Sequence, residues 1–222
     1  MSNKNTPDLI ETLSQSVNPV APLGRRGLWL WVGLSLLAGI TYVLTAYGAR
    51  PEMRLLFSEG RVADNLSAYA KTTFFIGLAA LAVWQVQATA RPEGRLTRVQ
   101  TGLLGLGLIA LLTLTGIDMA VSGLSSALTG LSDGAPGCFL TILVGGMVGL
   151  GVGWAVWLRQ AAPGNPALFG ALSAFAASAL MTVAYTLHCD HDAPAYLLLI
   201  YLAPNLVAAL IGSLIGRALF RW

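Results

Sequence analysis

The chain has 222 residues, 55% of them hydrophobic and only 10% charged, with a mean hydropathy of +0.69. That balance excludes a soluble globular domain of this size and leaves a membrane protein. The net charge of +3 comes from arginines flanking apolar runs, so direct binding of nucleic acid is not implied.

Residues 1–27 form a polar tail that carries one patterned segment. Thr6 suits an N-cap, Pro7 the first helical position, and Asp8 and Glu11 the positive end of the helix dipole. The segment predicts a short helix over about 7–17, with Leu9, Ile10, Leu13 and Val17 on one face and Glu11, Ser14 and Gln15 on the other. Pro19 and Pro22 end it, and Gly24-Arg25-Arg26-Gly27 leads to the first apolar run. So short a helix is marginal alone in water. Its apolar stripe needs cover, either from the membrane surface or the protein's own loops, or from a cytoplasmic protein that receives the helix in a groove.

A hydrocarbon core about 30 Å thick needs about 20 residues of helix. Six uncharged apolar runs of that order follow the tail, at about 28–47, 72–90, 99–117, 138–158, 167–187 and 195–216. They are apolar all round and lack the alternation of a barrel strand, so the predicted architecture is an all-α integral membrane bundle of six spans over 28–222. The first run follows a long polar tail and precedes no small-residue cleavage site, and so reads as a retained helix, not a signal peptide. With the N-terminus inside, Lys4, Arg25, Arg26, Arg91, Arg95, Arg98, Arg159, Arg217 and Arg221 fall on the cytoplasmic side. The outer cations Arg50, Arg54, Arg61 and Lys71 all lie in the first outer loop, among Glu52, Glu59 and Asp64. Both termini are therefore expected in the cytoplasm, and the first outer loop reads as solvated.

Within the spans, Gly145/Gly149/Gly153, Gly170/Ala174/Ser178 and Gly212/Gly216 are small-residue ridges, ordinary devices for packing helices in lipid. Pro204 interrupts the sixth run, and Asn205 beside it can donate a hydrogen bond across helices. No charge is expected deep in a span, Asp118 closing the third, and this weighs against an ion or proton path.

The chain has two cysteines, Cys138 opening the fourth run and Cys189 following the fifth, so both fall at the outer interface. Cys189 sits in His188-Cys189-Asp190-His191-Asp192, beside the only two histidines. Three readings stay open. The pair is a structural disulfide or inert, it senses redox state or transiently binds a transition metal through Cys138, Cys189, His188 and His191, or it is catalytic. Two isolated cysteines lack the Cys-x-x-Cys relay of a thiol oxidoreductase, and no P-loop, dinucleotide fingerprint or His-Glu-x-x-His occurs, so an enzyme is not expected and no cofactor is obligatory. A small-molecule transporter, or a structural membrane protein with a periplasmic disulfide, is the competing class.

Several segments carry a family resemblance. Asp8-Leu9-Ile10-Glu11-Thr12-Leu13, Pro19-Val20-Ala21-Pro22-Leu23, Arg50-Pro51-Glu52-Met53, Tyr185-Thr186-Leu187-His188-Cys189-Asp190, Tyr201 and the ending from Gly212 to Trp222 together resemble the NrsF-type anti-sigma factors. The resemblance implies a six-span protein of a bacterial inner membrane that holds an extracytoplasmic-function sigma factor inactive on the cytoplasmic side. It further implies that Cys138 and Cys189 respond to metal or oxidative stress. On that reading the Leu9/Ile10/Leu13/Val17 stripe, assisted by Arg91, Arg95 and Arg98, contacts the sigma factor.

Overall fold

A computed structural model describes residues 10–11, 14–15, 23–59, 66–123 and 135–220. Among these, six helices are long and apolar enough to cross a membrane: Arg25–Ala46, Leu66–Thr89, Arg98–Ser122, Ala135–Val156, Pro166–Thr186 and Pro194–Leu219. No strand occurs among the described residues, and the chain is an all-helical, multi-pass membrane protein. Trp157 donates its indole N–H to the carbonyl of Gly24 at 3.0 Å, and Trp154 packs edge-on against Phe220 with ring centres 5.3 Å apart. The start of the first span and the ends of the fourth and sixth therefore share one end of the bundle, the tail end. The two cysteines lie at the other, the thiol end.

The fifth span is the axis of the bundle. Its most apolar stretch is 78% buried, against 11% for the third span, because alanine, serine and glycine occur around its circumference and let neighbours approach from every side. Asn165 caps it by accepting from the Leu168 N–H at 3.0 Å, and Pro166 supplies a preset first turn. Against the sixth span the backbones almost touch: a Cβ on Gly170 would collide with the carbonyl oxygen of Gly212. On the fourth span Gly153 leaves room for the Trp31 indole, whose N–H is donated to the Gly149 carbonyl at 2.9 Å. The small-residue ridges are packing surfaces, as their spacing suggests. Gly170→Ala should therefore lower stability by about 1–3 kcal/mol through overpacking. Gly77→Ala, with nothing within 4 Å of the added carbon, should leave the thermal unfolding midpoint in detergent unchanged or slightly raised.

The sixth span is not uniform. An α-helical start, Pro194–Tyr196, passes into a π-helical turn over Leu197–Leu202 and returns to α-helix over Ala203–Leu219. Pro204 brings no N–H to the ladder, and the wide turn precedes it. Asn205 is fully buried, and its Oδ1 accepts from the hydroxyls of Ser178 at 2.5 Å and Thr182 at 3.0 Å, so it serves the neighbouring helix as an acceptor where a donor was expected.

Two expectations about charge are corrected. The second span begins at Leu66, not near 72, so Lys71 lies within a span and its side chain is only 1% exposed. Arg50 is equally buried, so the connection between the first two spans is not simply a solvated loop. The physical reason for both is Asp192, which supplies a countercharge from the turn between the fifth and sixth spans.

In the tail, Ile10, Glu11, Ser14 and Gln15 are helical and exposed, and the Ser14 hydroxyl donates to the Glu11 carbonyl at 2.9 Å. Leu9, Leu13 and Val17 lie outside the described residues.

Candidate functional site

Cys138 sits in the first turn of the fourth span, and Cys189 in the tight turn that closes the fifth. That turn forms because the last carbonyls of the helix are re-used: the Tyr185 carbonyl accepts from the His188 N–H at 3.1 Å and from the Cys189 N–H at 3.3 Å. Cys189 is buried, Cys138 is half-buried, and both are free thiols. Cys189 belongs to a cluster of buried side chains against which Cys138 packs.

Cys138 is the acceptor of the pair. Tyr185 from the last turn of the fifth span donates its hydroxyl to Cys138 Sγ at 3.0 Å, and Tyr196 from the first turn of the sixth does so at 3.3 Å. The two helices that flank the Cys189 turn thus both reach the sulfur of Cys138. Cys189 is the protonated member: its interaction with Cys138, and then burial, push its thiol up to about 12.

The two histidines diverge. His191 Nδ1 lies 3.9 Å from Cys189 Sγ and 3.2 Å from Asp190 Oδ1, and its ring stacks on Tyr196 at 4.7 Å. The ligand atoms of Cys189, Asp190 and His191 all lie within 4.8 Å of one another. His188 points elsewhere, its Nδ1 3.1 Å from the Gly48 carbonyl and its ring 5.1 Å from that of Tyr47, joining the fifth span to the end of the first. Of the four candidate ligands, the structure brings together Cys189 and His191 and adds Asp190; Cys138 packs against the Cys189 cluster but lies outside that ligand group, and His188 is kept out of it.

Around this lies a set of charges that sequence reasoning missed. Asp192 forms a two-pronged ion pair with Arg50, each contact 3.1 Å, and accepts from Lys71 Nζ at 2.7 Å and from the Ser67 hydroxyl at 2.7 Å. Burial works against its charge, but these hydrogen bonds outweigh it and hold the carboxyl at about 2. For Arg50 burial likewise opposes the charge, and Asp192 and Glu52 overcome it, raising the guanidinium above its ordinary value. One signal was available: the loop with Arg50 and Lys71 has more cations than carboxylates, and the turn with Asp190 and Asp192 has no Lys or Arg.

At the tail end, Arg91 and Arg95 are exposed on the connection between the second and third spans, and Arg98 is exposed as the first residue of the third. The Ala162 N–H donates to the Ala90 carbonyl at 3.1 Å and ties this connection to the one between the fourth and fifth spans. A pocket of about 430 Å³, with Leu23, Arg25, Trp84, Arg91 and Trp157 in its walls, opens where the tail leaves the bundle.

The family model of NrsF, negative regulator of sigma F, matches residues 13–222. The chain belongs to the NrsF family. No curated protein and no solved structure matches it significantly. As a member of NrsF this protein is a negative regulator of a sigma factor, with a sigma factor as its partner. The match takes in Cys138, Cys189, Arg50, Lys71 and Asp192, and it begins at Leu13, within the patterned part of the tail.

Proposed function

We propose that this protein is a membrane-bound anti-sigma factor of the bacterial inner membrane. It holds an extracytoplasmic-function sigma factor at the cytoplasmic face through its tail helix and Arg91, Arg95 and Arg98. It releases that factor when the thiol pair meets an oxidant or a transition metal on the periplasmic side. The observation that carries this reading is the gathering of two free thiols in one buried cluster at the end of the bundle opposite the tail, where both helices flanking the Cys189 turn donate to Cys138. Their shared cluster makes either signal a short step.

With a peroxide as oxidant, the sulfur of Cys138 attacks one peroxide oxygen, the O–O bond breaks, and a sulfenic acid and one water (or alcohol) form. The Cys189 thiol then displaces the hydroxyl, giving the disulfide and a second water. Two electrons leave the thiols and reduce the peroxide. A soft divalent metal would instead replace the thiol protons, with Cys189, Asp190 and His191 as the donors already gathered and Cys138, which packs against the same cluster, drawn in as the fourth. Such an ion is the signal, not a resident cofactor.

The test uses full-length protein in nanodiscs loaded with its sigma factor. Hydrogen peroxide or zinc chloride should weaken retention about tenfold, which needs about 1.4 kcal/mol of differential stabilisation. Cys138→Ser and Cys189→Ser should retain the factor and ignore both agents. Release that proceeds equally well in both serine variants would remove the thiols from the mechanism, and failure of the wild type to capture any sigma factor would defeat the whole reading.

A further inference from the structure

A guanidinium and an ammonium, each with a side chain 1% exposed, stand behind the Cys189 turn. Charges so buried at a membrane interface persist only when paired and fully hydrogen-bonded. Both share Asp192, and Arg50 also holds Glu52 at 3.1 Å, so two cations face two carboxylates. The remaining donors fall on backbone. Lys71 Nζ donates to the carbonyl of Cys189 at 2.7 Å and to that of His191 at 3.1 Å. Arg50 Nη1 donates to the same Cys189 carbonyl at 3.1 Å, and the Arg50 backbone N–H to the Leu187 carbonyl at 2.9 Å.

We infer that Lys71 and Arg50 are positioning residues of the thiol pair: by gripping the Cys189 carbonyl and Asp192 together, they fix the turn that presents Cys189 to Cys138 and tie it to the second span. Neither side chain is placed on a sulfur; each acts through the backbone that carries one. The grip is strong because its bonds are charge-assisted, and specific because the Arg50 fork matches the Asp192 carboxylate on two atoms. It is anchored on the second span twice, by Lys71 and, one turn earlier, by Ser67, which donates to Asp192. The Lys71 ammonium also lies 5.2 Å from the centre of the Tyr201 ring, which brings in the sixth span.

The consequence is mechanical. When Cys189 Sγ bonds to Cys138 or to a metal, the Cys189 backbone cannot turn without moving Lys71 or breaking its bonds. Displacement at the thiols is thereby passed to the second span, whose other end contributes Trp84 and Gln87 to the pocket beside the tail. This last step, unlike the positioning itself, rests on the sigma-release reading above.

The experiment compares full-length wild type, Lys71→Met and Lys71→Arg in nanodiscs. It measures the rate at which N-ethylmaleimide alkylates Cys189 in a Cys138→Ser background, and the equilibrium of the Cys138–Cys189 disulfide against glutathione buffers. Lys71→Met should speed alkylation about tenfold and shift the disulfide equilibrium by a similar factor, since the turn then opens locally more often. Lys71→Arg should recover most of both, which a merely structural change would not predict. Where Lys71→Met alone fails to fold, Lys71→Met with Asp192→Asn removes one charge of each sign, leaves Arg50 paired with Glu52, and should show the same loosened thiol. Wild-type values of alkylation and disulfide equilibrium in a folded variant would overturn the inference. Sigma retention on the same samples separates the two claims: a wild type that never holds a sigma factor ends the release reading, while the thiol measurements still decide the positioning.

Discussion

Asp192→Asn is expected to be the most destabilising single substitution at the thiol end, lowering the unfolding free energy by about 3 kcal/mol, the low end for breaking a buried ion pair. The low end applies because the Asp192 side chain is 15% exposed and water screens part of the pair. The loss has two parts. Arg50 and Lys71 are left buried opposite a single carboxylate, Glu52, and the carbonyls of Cys189 and His191 lose the partner that aimed Lys71 at them. Glu52→Gln should cost about 1 kcal/mol, because Arg50 then keeps Asp192. The same residue gives the pH dependence its sign. The Asp192 carboxyl is depressed from an ordinary 3.8 to about 2, so its contribution is fully present above the ordinary value and is lost as pH falls through about 2. The stability difference between wild type and Asp192→Asn should therefore be constant near neutrality and shrink between pH 4 and 2. Denaturation in mixed micelles, followed by circular dichroism across that range, measures both quantities; a gap that does not narrow on acidification would mean that Asp192 is not the titrating group.

The spans were legible because lipid imposes one requirement, some twenty consecutive apolar residues, and each run meets it whatever its neighbours are. That the fifth span is the one the others crowd was not legible: its Gly170/Ala174/Ser178 ridge looks like those of the fourth and sixth spans, and only the packed bundle shows it buried all round. The placement of both thiols at one end was legible, since each lies at the limit of a run. Their surroundings were not. Lys71 reads as a loop residue because a hydropathy window stops at the first charge, yet the helix runs on to Leu66 and the ammonium finds Asp192 some 120 positions away. That pairing is a tertiary fact with no local signature beyond the unequal charges of two loops. Likewise His188 and His191 look equivalent as sequence, but a tight turn lies between them and sends one ring to Gly48 and the other to Tyr196. Tyr185 and Tyr196 pass as ordinary interfacial aromatics, and only the approach of three helix ends makes them donors to Cys138.

Deleting residues 1–22 should reduce capture of the sigma factor by more than about thirtyfold, because the anchors of a docked amphipathic helix are worth about 2 kcal/mol or more where they are hot spots. The deletion stops short of Leu23 and Gly24, which belong to the bundle: Leu23 walls the tail-end pocket, and the Gly24 carbonyl accepts from Trp157. The bundle and its thiol chemistry should therefore be unchanged, and maleimide reactivity of Cys189 is the internal check. Ile10 already shows why the stripe needs a partner, being helical yet 62% exposed. The sequence pattern expects Leu9, Leu13 and Val17 on the same face as Ile10, and on that expectation Ile10→Asp with Leu13→Asp should reproduce most of the loss. Ser14→Ala and Gln15→Ala, on the opposite face, should change affinity by less than about twofold. Binding measured by co-purification and by titration of labelled sigma factor distinguishes the two surfaces. Loss confined to the tail variants assigns the contact to the helix. Full affinity of the deleted form, abolished by reversing Arg91, Arg95 and Arg98 to glutamate, would move it to the exposed connection between the second and third spans, where a salt-sensitive association rate would betray an electrostatic contact.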